Sequence, residues 1–136
     1  MSVLLDAAAA QAALGPAAEL FLRESEPLPA EQLPELNEIL ALYLEQVRTL
    51  YEDNEFIDLG LVERIGQAVR AMLARYVRAD LRTRAAIVGA LRYFVIEEDA
   101  EGDLDSLLGF DDDAEVANYV IRACDLDIPL IALGEE

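Results

Sequence analysis

Residues 36–51 read LNEILALYLEQVRTLY, and their pattern predicts an amphipathic helix. Apolar residues recur every three or four positions, which is the spacing of one helical face. These positions are Leu36, Ile39, Leu40, Tyr43, Leu44, Val47, Leu50 and Tyr51. The intervening glutamates and Arg48 lie away from that face. Because Pro34 fits only in a first turn, the helix should begin near residues 31–34 and end in the polar residues 52–55.

Similar patterns on both sides of this stretch predict more helices. Gly15 and Pro16 separate an Ala-rich and Leu-rich helix at residues 2–14 from a short helix at residues 16–24. Asp58 is a candidate cap for a later helix, and Asp80 for the one that follows it. The apolar stripe of the helix after Asp58 consists of Leu61, Val62, Ile65, Val69, Met72, Leu73 and Tyr76.

The run AAIVGALRYFVI at residues 85–96 contains one charge, Arg92, and predicts a helix buried nearly all round at the centre of the molecule. A buried β-strand is the competing interpretation. Three aspartates at 111–113 begin a last helix that reaches about Cys124, with acids where the helix dipole favours them. We therefore expect an all-α fold, a compact bundle of five to six helices in a single helical domain, residues 1–136. Residues 1–24 either join the bundle or form a peripheral N-terminal helical arm.

Missing residue types exclude several classes of enzyme. The 136 residues include no His and no Lys, so all 10 cationic residues are Arg, and there is one Cys. Without His there is no Ser-His-Asp triad, and without Lys there is no Schiff base or phosphate-binding loop of the Walker type. One Cys and no His are too few ligands for a structural zinc site. We expect a protein that is not an enzyme and has no cofactor, except for a possible calcium or magnesium ion.

Two features suggest a soluble, cytoplasmic protein. The first residues carry no positive flank before their apolar run, and the longest uncharged run, residues 7–18, is shorter than the ~18 residues that cross a bilayer. We expect no membrane insertion. Cys124 should lie in the core, and the apolar stripes should hold Tyr43, Tyr76 and Tyr93 with their hydroxyls at the margin.

Charge divides the chain into three blocks. Residues 1–63 hold 13 acids and 2 Arg, residues 64–92 hold 1 acid and 7 Arg, and residues 93–136 hold 14 acids and 1 Arg. The basic block could form an anion-binding or partner-binding stripe from Arg64, Arg75, Arg78, Arg82 and Arg84, or its arginines could pair with the acidic blocks. Direct nucleic-acid binding is disfavoured by the formal charge of −18.

Residues 93–116 read YFVIEEDAEGDLDSLLGFDDDAEV, an apolar helix end, an acidic loop and an Asp-rich helix start. This stretch resembles the core motif of the YkvA-like family of small bacterial helical proteins, which would make residues 85–124 a helix-acidic loop-helix unit. The matching residues are Tyr93, Phe94, Asp99, Asp103, Gly109, Phe110, Asp112, Asp113, Ala114 and Val116. The match covers about residues 90–116, and Glu97, Gly102 and Ser106 replace the family's prolines. The resemblance implies a helical fold and an important loop, but no activity.

The same loop predicts a candidate site for a divalent cation. With Glu97 as the first position, acids fall at the third, fifth, seventh and ninth positions and Gly102 at the sixth, as in an EF-hand. The twelfth position is Leu108, where an EF-hand has a bidentate Glu. The candidate ligands for calcium or magnesium are Asp99, Asp103, Asp105, Asp112 and Asp113. The alternative is a solvated loop, or one paired with Arg.

Three functional classes remain open. We favour a non-enzymatic interaction or regulatory module, with a homodimer as a possible state. It would bind an unknown protein partner through an acidic surface or through a spare apolar helix face such as residues 2–22. The second class is a calcium-responsive module that uses the acidic loop 97–113. The third is an acidic mimic of nucleic acid that occupies a basic partner. Arg75, Arg78 and Arg82 are the candidate partner-binding residues.

Overall fold

A computed structural model describes residues 6–53, 59–95 and 110–132 of the chain. These residues form six α-helices and contain no β-strand. The helices are α1 (Ala7–Leu14), α2 (Ala17–Glu24), α3 (Leu33–Asp53), α4 (Leu59–Ala74), α5 (Leu81–Val95) and α6 (Asp111–Ala123), and a 3-10 turn at Ala30–Gln32 precedes α3. The predicted all-α bundle of five to six helices is confirmed.

Local signals in the sequence set several helix boundaries. The Asp6 carboxylate accepts a hydrogen bond from the Ala9 amide at 3.2 Å and caps α1, which ends at Gly15 with a positive φ of 60°. The Asp80 carboxylate accepts one from the Thr83 amide at 2.8 Å at the start of α5. This bond lowers the pKa of Asp80, because it stabilises the ionised carboxylate. The predicted cap at Asp80 is therefore confirmed, whereas Asp58 lies outside the described residues.

Helix α5 lies at the centre of the bundle. It packs against α2, α3, α4 and α6, and every residue from Ala85 to Leu91 is buried. A helix covered by four neighbours has no polar face, which explains why residues 85–96 lack the periodicity of a surface helix. The β-strand interpretation is wrong for residues 85–95. The neighbouring α4 buries its whole predicted stripe from Leu61 to Leu73, as well as Tyr76 just beyond it.

Helices α1 and α2 belong to the bundle, so the peripheral-arm alternative is wrong for residues 7–24. The side chain of Phe21 is fully buried, and its ring packs edge-on against Tyr119 of α6 with centroids 5.9 Å apart. Gly89 of α5 provides the space beneath Phe21, since a Cβ at that position would come within 2.9 Å of the ring. The apolar face of residues 7–22 is consequently used inside the molecule.

Tyr76 anchors the segment that joins α2 to α3. Its hydroxyl donates a hydrogen bond to the carbonyl of Leu28 and accepts one from the Leu28 amide, each at 2.8 Å. The residue is completely buried, and its hydroxyl contacts the main chain of the linking segment. One side chain thereby satisfies both main-chain groups of a residue 48 positions away.

The last helix ends in a Schellman motif that reverses the chain. The Leu126 amide donates to the Ile121 carbonyl at 2.9 Å, and the Asp125 amide donates to the Arg122 carbonyl at 3.2 Å. Asp125 has a φ of 55°, a left-handed conformation that favours glycine. The chain then continues to residue 132 without regular secondary structure.

Candidate functional site

Of the acidic residues predicted to bind a cation, Asp112 and Asp113 are described. Asp112 is exposed and Asp113 is half-buried, and both lie in the first turn of α6, where the helix dipole stabilises negative charge. The other three candidate ligands, Asp99, Asp103 and Asp105, lie outside the described residues. Within the described ranges no group of three or more His, Cys, Asp or Glu side chains could hold a metal ion. The calcium or magnesium site stays a prediction.

Tyr93 shows how negative this end of the bundle is. Burial of this phenol is the main cause that raises its pKa to about 12, and the carboxylates of Asp112, Asp113 and Glu115 contribute to the same shift. Both causes disfavour a phenolate anion. Tyr93 therefore remains a neutral phenol across the physiological range.

Two arginines of the predicted partner-binding stripe bind main-chain carbonyls of their own chain. The guanidinium of Arg75 donates to the carbonyls of Ala71 at 2.8 Å and Asp127 at 2.9 Å. Arg84 donates to the carbonyls of Tyr76 at 3.0 Å and Val77 at 2.8 Å. The carbonyls of Ala71, Tyr76 and Val77 lie in the last turn of α4 or just beyond it, where a helix leaves acceptors without partners, whereas Asp127 belongs to the segment after α6. Arg75 and Arg84 thus stabilise the bundle.

The other arginines of that stripe are differently placed. Arg64, Arg78 and Arg82 are exposed and form no salt bridge with a carboxylate of the described residues. Elsewhere in the basic block, Arg92 pairs with Glu26 of the first acidic block at 2.9 Å. Charge pairing thus holds for Arg92, and partner binding by Arg78 and Arg82 stays a prediction.

Four of the seven large apolar side chains that are exposed among the described residues lie on α3. Ile39, Leu42 and Leu50 are 43%, 54% and 41% exposed, and with Gln46 they form a row spaced by three, four and four residues. We call these four residues the α3 stripe. Leu42, Gln46 and Leu50 line a shallow depression of ≈ 510 Å³, together with Glu45 and Thr49. Such a row on one helix is the geometry that a second helix packs against.

The apolar face predicted from the sequence includes Ile39 and Leu50, and the structure leaves both of them exposed. Leu36, Leu40, Tyr43, Leu44 and Val47 are the residues that α3 buries. The predicted face was wider than the ~100° that a core-facing helix needs, so its edge is left in solvent. The apolar residue at position 42, outside the predicted stripe, was the signal that the sequence analysis did not use.

Carboxylates border the α3 stripe. Glu38 and Glu45 are exposed, and each is within one helical turn of Leu42. The only cation between residues 31 and 53 is Arg48, against six acids. The Arg48 guanidinium is already held by both carboxylate oxygens of Glu63 on α4, at 2.7 and 2.8 Å. The surface around the stripe is therefore strongly negative.

Cys124 gives no sign of reactivity. The residue is half-buried against the core, and burial raises the pKa of its thiol, which disfavours the nucleophilic thiolate. The sequence places Cys124 in the core, whereas the structure places it at the edge of the core, packed against it and partly exposed.

Comparisons with known proteins do not add a functional assignment. No protein family, curated protein or solved structure matches this chain. Resemblance to the YkvA-like family therefore rests on the residues of the motif alone. Among the described residues, no helix is long and apolar enough to cross a membrane.

Proposed function

We propose that the protein is a non-enzymatic interaction module whose α3 stripe binds an amphipathic helix with basic flanks. The observation that carries this proposal is the row of exposed apolar side chains on α3 with carboxylates beside it. A partner helix would bury Ile39, Leu42 and Leu50 against its own apolar face, as helix-in-groove complexes do. This apolar contact would supply most of the affinity.

Charge selects the kind of partner. Lysine or arginine beside the partner's apolar residues would meet Glu38 and Glu45, which favours association and directs its orientation. A second copy of this chain would bring the same carboxylates against themselves, and like charges across an interface are unfavourable. A foreign basic helix is thus a better match for this surface than a homodimer through α3.

The test measures binding of a designed probe to the full chain. The probe is a labelled 14-residue peptide, about four helical turns, with leucine at helical spacing and lysine at the flanking positions. Leu42 and Leu50 are each about half exposed. Burial of their exposed surface in the complex should stabilise binding by roughly 1 kcal/mol per residue. The variant Leu42→Ser/Leu50→Ser should bind the probe about 30-fold more weakly by fluorescence anisotropy.

Two controls separate helix docking from simple charge attraction. The variant Val77→Ser/Leu130→Ser changes residues that are similarly exposed but lie outside α3, and it should change the dissociation constant by less than about twofold. A peptide with glutamate in place of lysine should bind far more weakly than the probe. The proposal is contradicted if the two peptides bind alike, or if the α3 variant binds like wild type.

Sedimentation of the unliganded chain tests whether a second copy of the chain binds the α3 stripe. We expect a monomer, because α3 carries like charges on both sides of any self-contact. A dimer that dissociates when Leu42 and Leu50 become serine would assign the surface to a second copy and refute the proposed partner.

A further inference from the structure

The chain that follows α6 packs against the bundle and bends at residues 127–128. Residues 126–132 read LDIPLIA and have no helix or strand of their own. Ile128 and Ile131 are buried, whereas Pro129 and Leu130 between them are exposed. The segment thus inserts two branched aliphatic side chains, three residues apart, and turns the intervening ones toward solvent.

Fixed side chains of the bundle bind the main chain of this segment. The amide of Asn118 on α6 donates from Nδ2 to the Ile131 carbonyl at 3.1 Å and accepts at Oδ1 from the Ile131 amide at 2.7 Å. Asn118 is 6% exposed and is the only buried polar residue of the described chain. At the other end, Arg75 donates to the Asp127 carbonyl at 2.9 Å while its second donor holds the carbonyl of Ala71.

This arrangement has the two components of a peptide-binding groove. Hydrogen bonds to a peptide's main chain supply affinity with little dependence on sequence, and pockets for particular side chains supply selectivity. Asn118 and Arg75 provide the first component, and the sites of Ile128 and Ile131 provide the second. A cleft of ≈ 290 Å³ remains between the segment and α4, lined on the α4 side by Arg64, Gln67, Ala68 and Ala71. Residues 128–132 of the segment line the other side of this cleft.

We propose that α4 and α6 form a binding site for a short peptide without regular secondary structure, that residues 126–132 occupy it as an internal ligand, and that a peptide of another chain can displace them. The ligand is a short segment with two branched aliphatic residues three positions apart. None of the groups that bind it belongs to the α3 stripe, so this site stands or falls independently of the partner helix. Because the internal segment is covalently attached, it competes at a high effective concentration and keeps the site closed.

The direct test weakens the internal ligand and supplies it from outside. The variant Ile128→Ser/Ile131→Ser removes the two apolar anchors and leaves Asn118 in place. It should bind the labelled peptide acetyl-LDIPLIA-amide at least about tenfold more tightly than the wild-type chain does. Addition of Asn118→Leu should reverse that gain by about tenfold or more, because the main-chain partner is then lost.

Matched controls define the outcome. Leu130→Ser alters an exposed residue of the same segment and should bind the peptide like wild type. The peptide LDSPLSA, without the two anchors, should bind at least about tenfold more weakly than LDIPLIA. A helical Ile128→Ser/Ile131→Ser variant that does not bind LDIPLIA at about 1 mM, or that binds it equally well with Asn118→Leu, would overturn the proposal.

A second measurement covers the case in which the double variant does not fold. The amide of Ile131 donates to Asn118, so its hydrogen exchange in the wild-type chain reports release of the segment. Excess LDIPLIA should accelerate this exchange at least about tenfold, while LDSPLSA should leave it unchanged. Equal exchange rates with the two peptides would refute displacement.

Discussion

Replacement of Gly89 by alanine tests how closely α2 is seated on α5. A Cβ at position 89 would overlap the Ser25 hydroxyl and come within 2.9 and 3.1 Å of two ring carbons of Phe21. Ser25 can rotate away only by breaking its 2.8 Å hydrogen bond to the Phe21 carbonyl, and the ring of Phe21 is fully buried. Overpacking of this kind costs about 1–3 kcal/mol and the lost hydrogen bond about 1 kcal/mol, whereas alanine gains about 1 kcal/mol in helix propensity. Gly89→Ala should therefore destabilise the protein by about 2 kcal/mol.

Urea unfolding followed by far-ultraviolet circular dichroism measures this change, with Gly66→Ala as the matched control. A Cβ at Gly66 meets only the flexible end of Leu44, at 2.9 and 3.0 Å, so this variant should lie within about 1 kcal/mol of wild type. Removing the overlapping oxygen should make Ser25→Ala/Gly89→Ala less destabilised than the sum of the single variants. A Gly89→Ala protein as stable as wild type, or strict additivity in the double variant, would refute the reasoning.

Three further predictions concern single side chains. Tyr76→Phe leaves the amide and carbonyl of Leu28 without their partner and should cost about 1–3 kcal/mol in thermal unfolding; an unchanged midpoint would contradict the anchoring role. Asp125→Gly relieves a left-handed residue and should stabilise the fold by about 0.5–1 kcal/mol, with a loss of stability as the contrary result. The side-chain hydrogen bond from Arg48 lowers the pKa of Glu63, so this pair stabilises the fold above the ordinary Glu pKa of about 4.3, and its contribution is lost as pH falls through the lowered value. Glu63→Gln should thus lose less stability than wild type on acidification below pH ~4.3, and parallel stability curves would exclude the effect.

Helix positions and the central element followed from local chemistry in the sequence. Asp80 begins α5 because its carboxylate can reach an amide three residues ahead, a relation visible in the sequence. The stripe of α4 has the width of one core-facing helix, and all of it is buried. Where apolar periodicity and burial coincide in this way, a single sequence is enough to predict a helix and its buried face.

Packing between residues far apart in the chain could not be predicted from the sequence in the same way. Whether Phe21 rests on the bundle depends on Gly89, and no local pattern links two residues so far apart. Apolar spacing places Ile39 on the apolar face of α3, but the number of helices covering that face decides its exposure. The α3 stripe is exposed because no other described helix covers that part of the face.

The roles of polar residues were the least predictable part of the candidate sites. Arg75 carries the charge of a basic block, yet its guanidinium binds carbonyls left by the end of a helix and by a distant segment. In the sequence, Asn118 resembles any polar residue of an amphipathic helix. The structure shows that its side chain forms hydrogen bonds with both the amide and the carbonyl of Ile131. Such roles depend on which main-chain groups lack partners in three dimensions.

The seat of α2 on α5 also constrains the order in which a newly made chain can fold. Arg92 of α5 donates to the carbonyl of Glu24 across 68 residues, so α2 emerges from the ribosome well before its binding surface exists. Synthesis proceeds at about 5–20 residues per second, which leaves Phe21 exposed for several seconds. During that interval the apolar residues of 7–24 are exposed and available to chaperones. We expect the pairing of α2 with α5 to be the slow step of folding, because it closes a long loop.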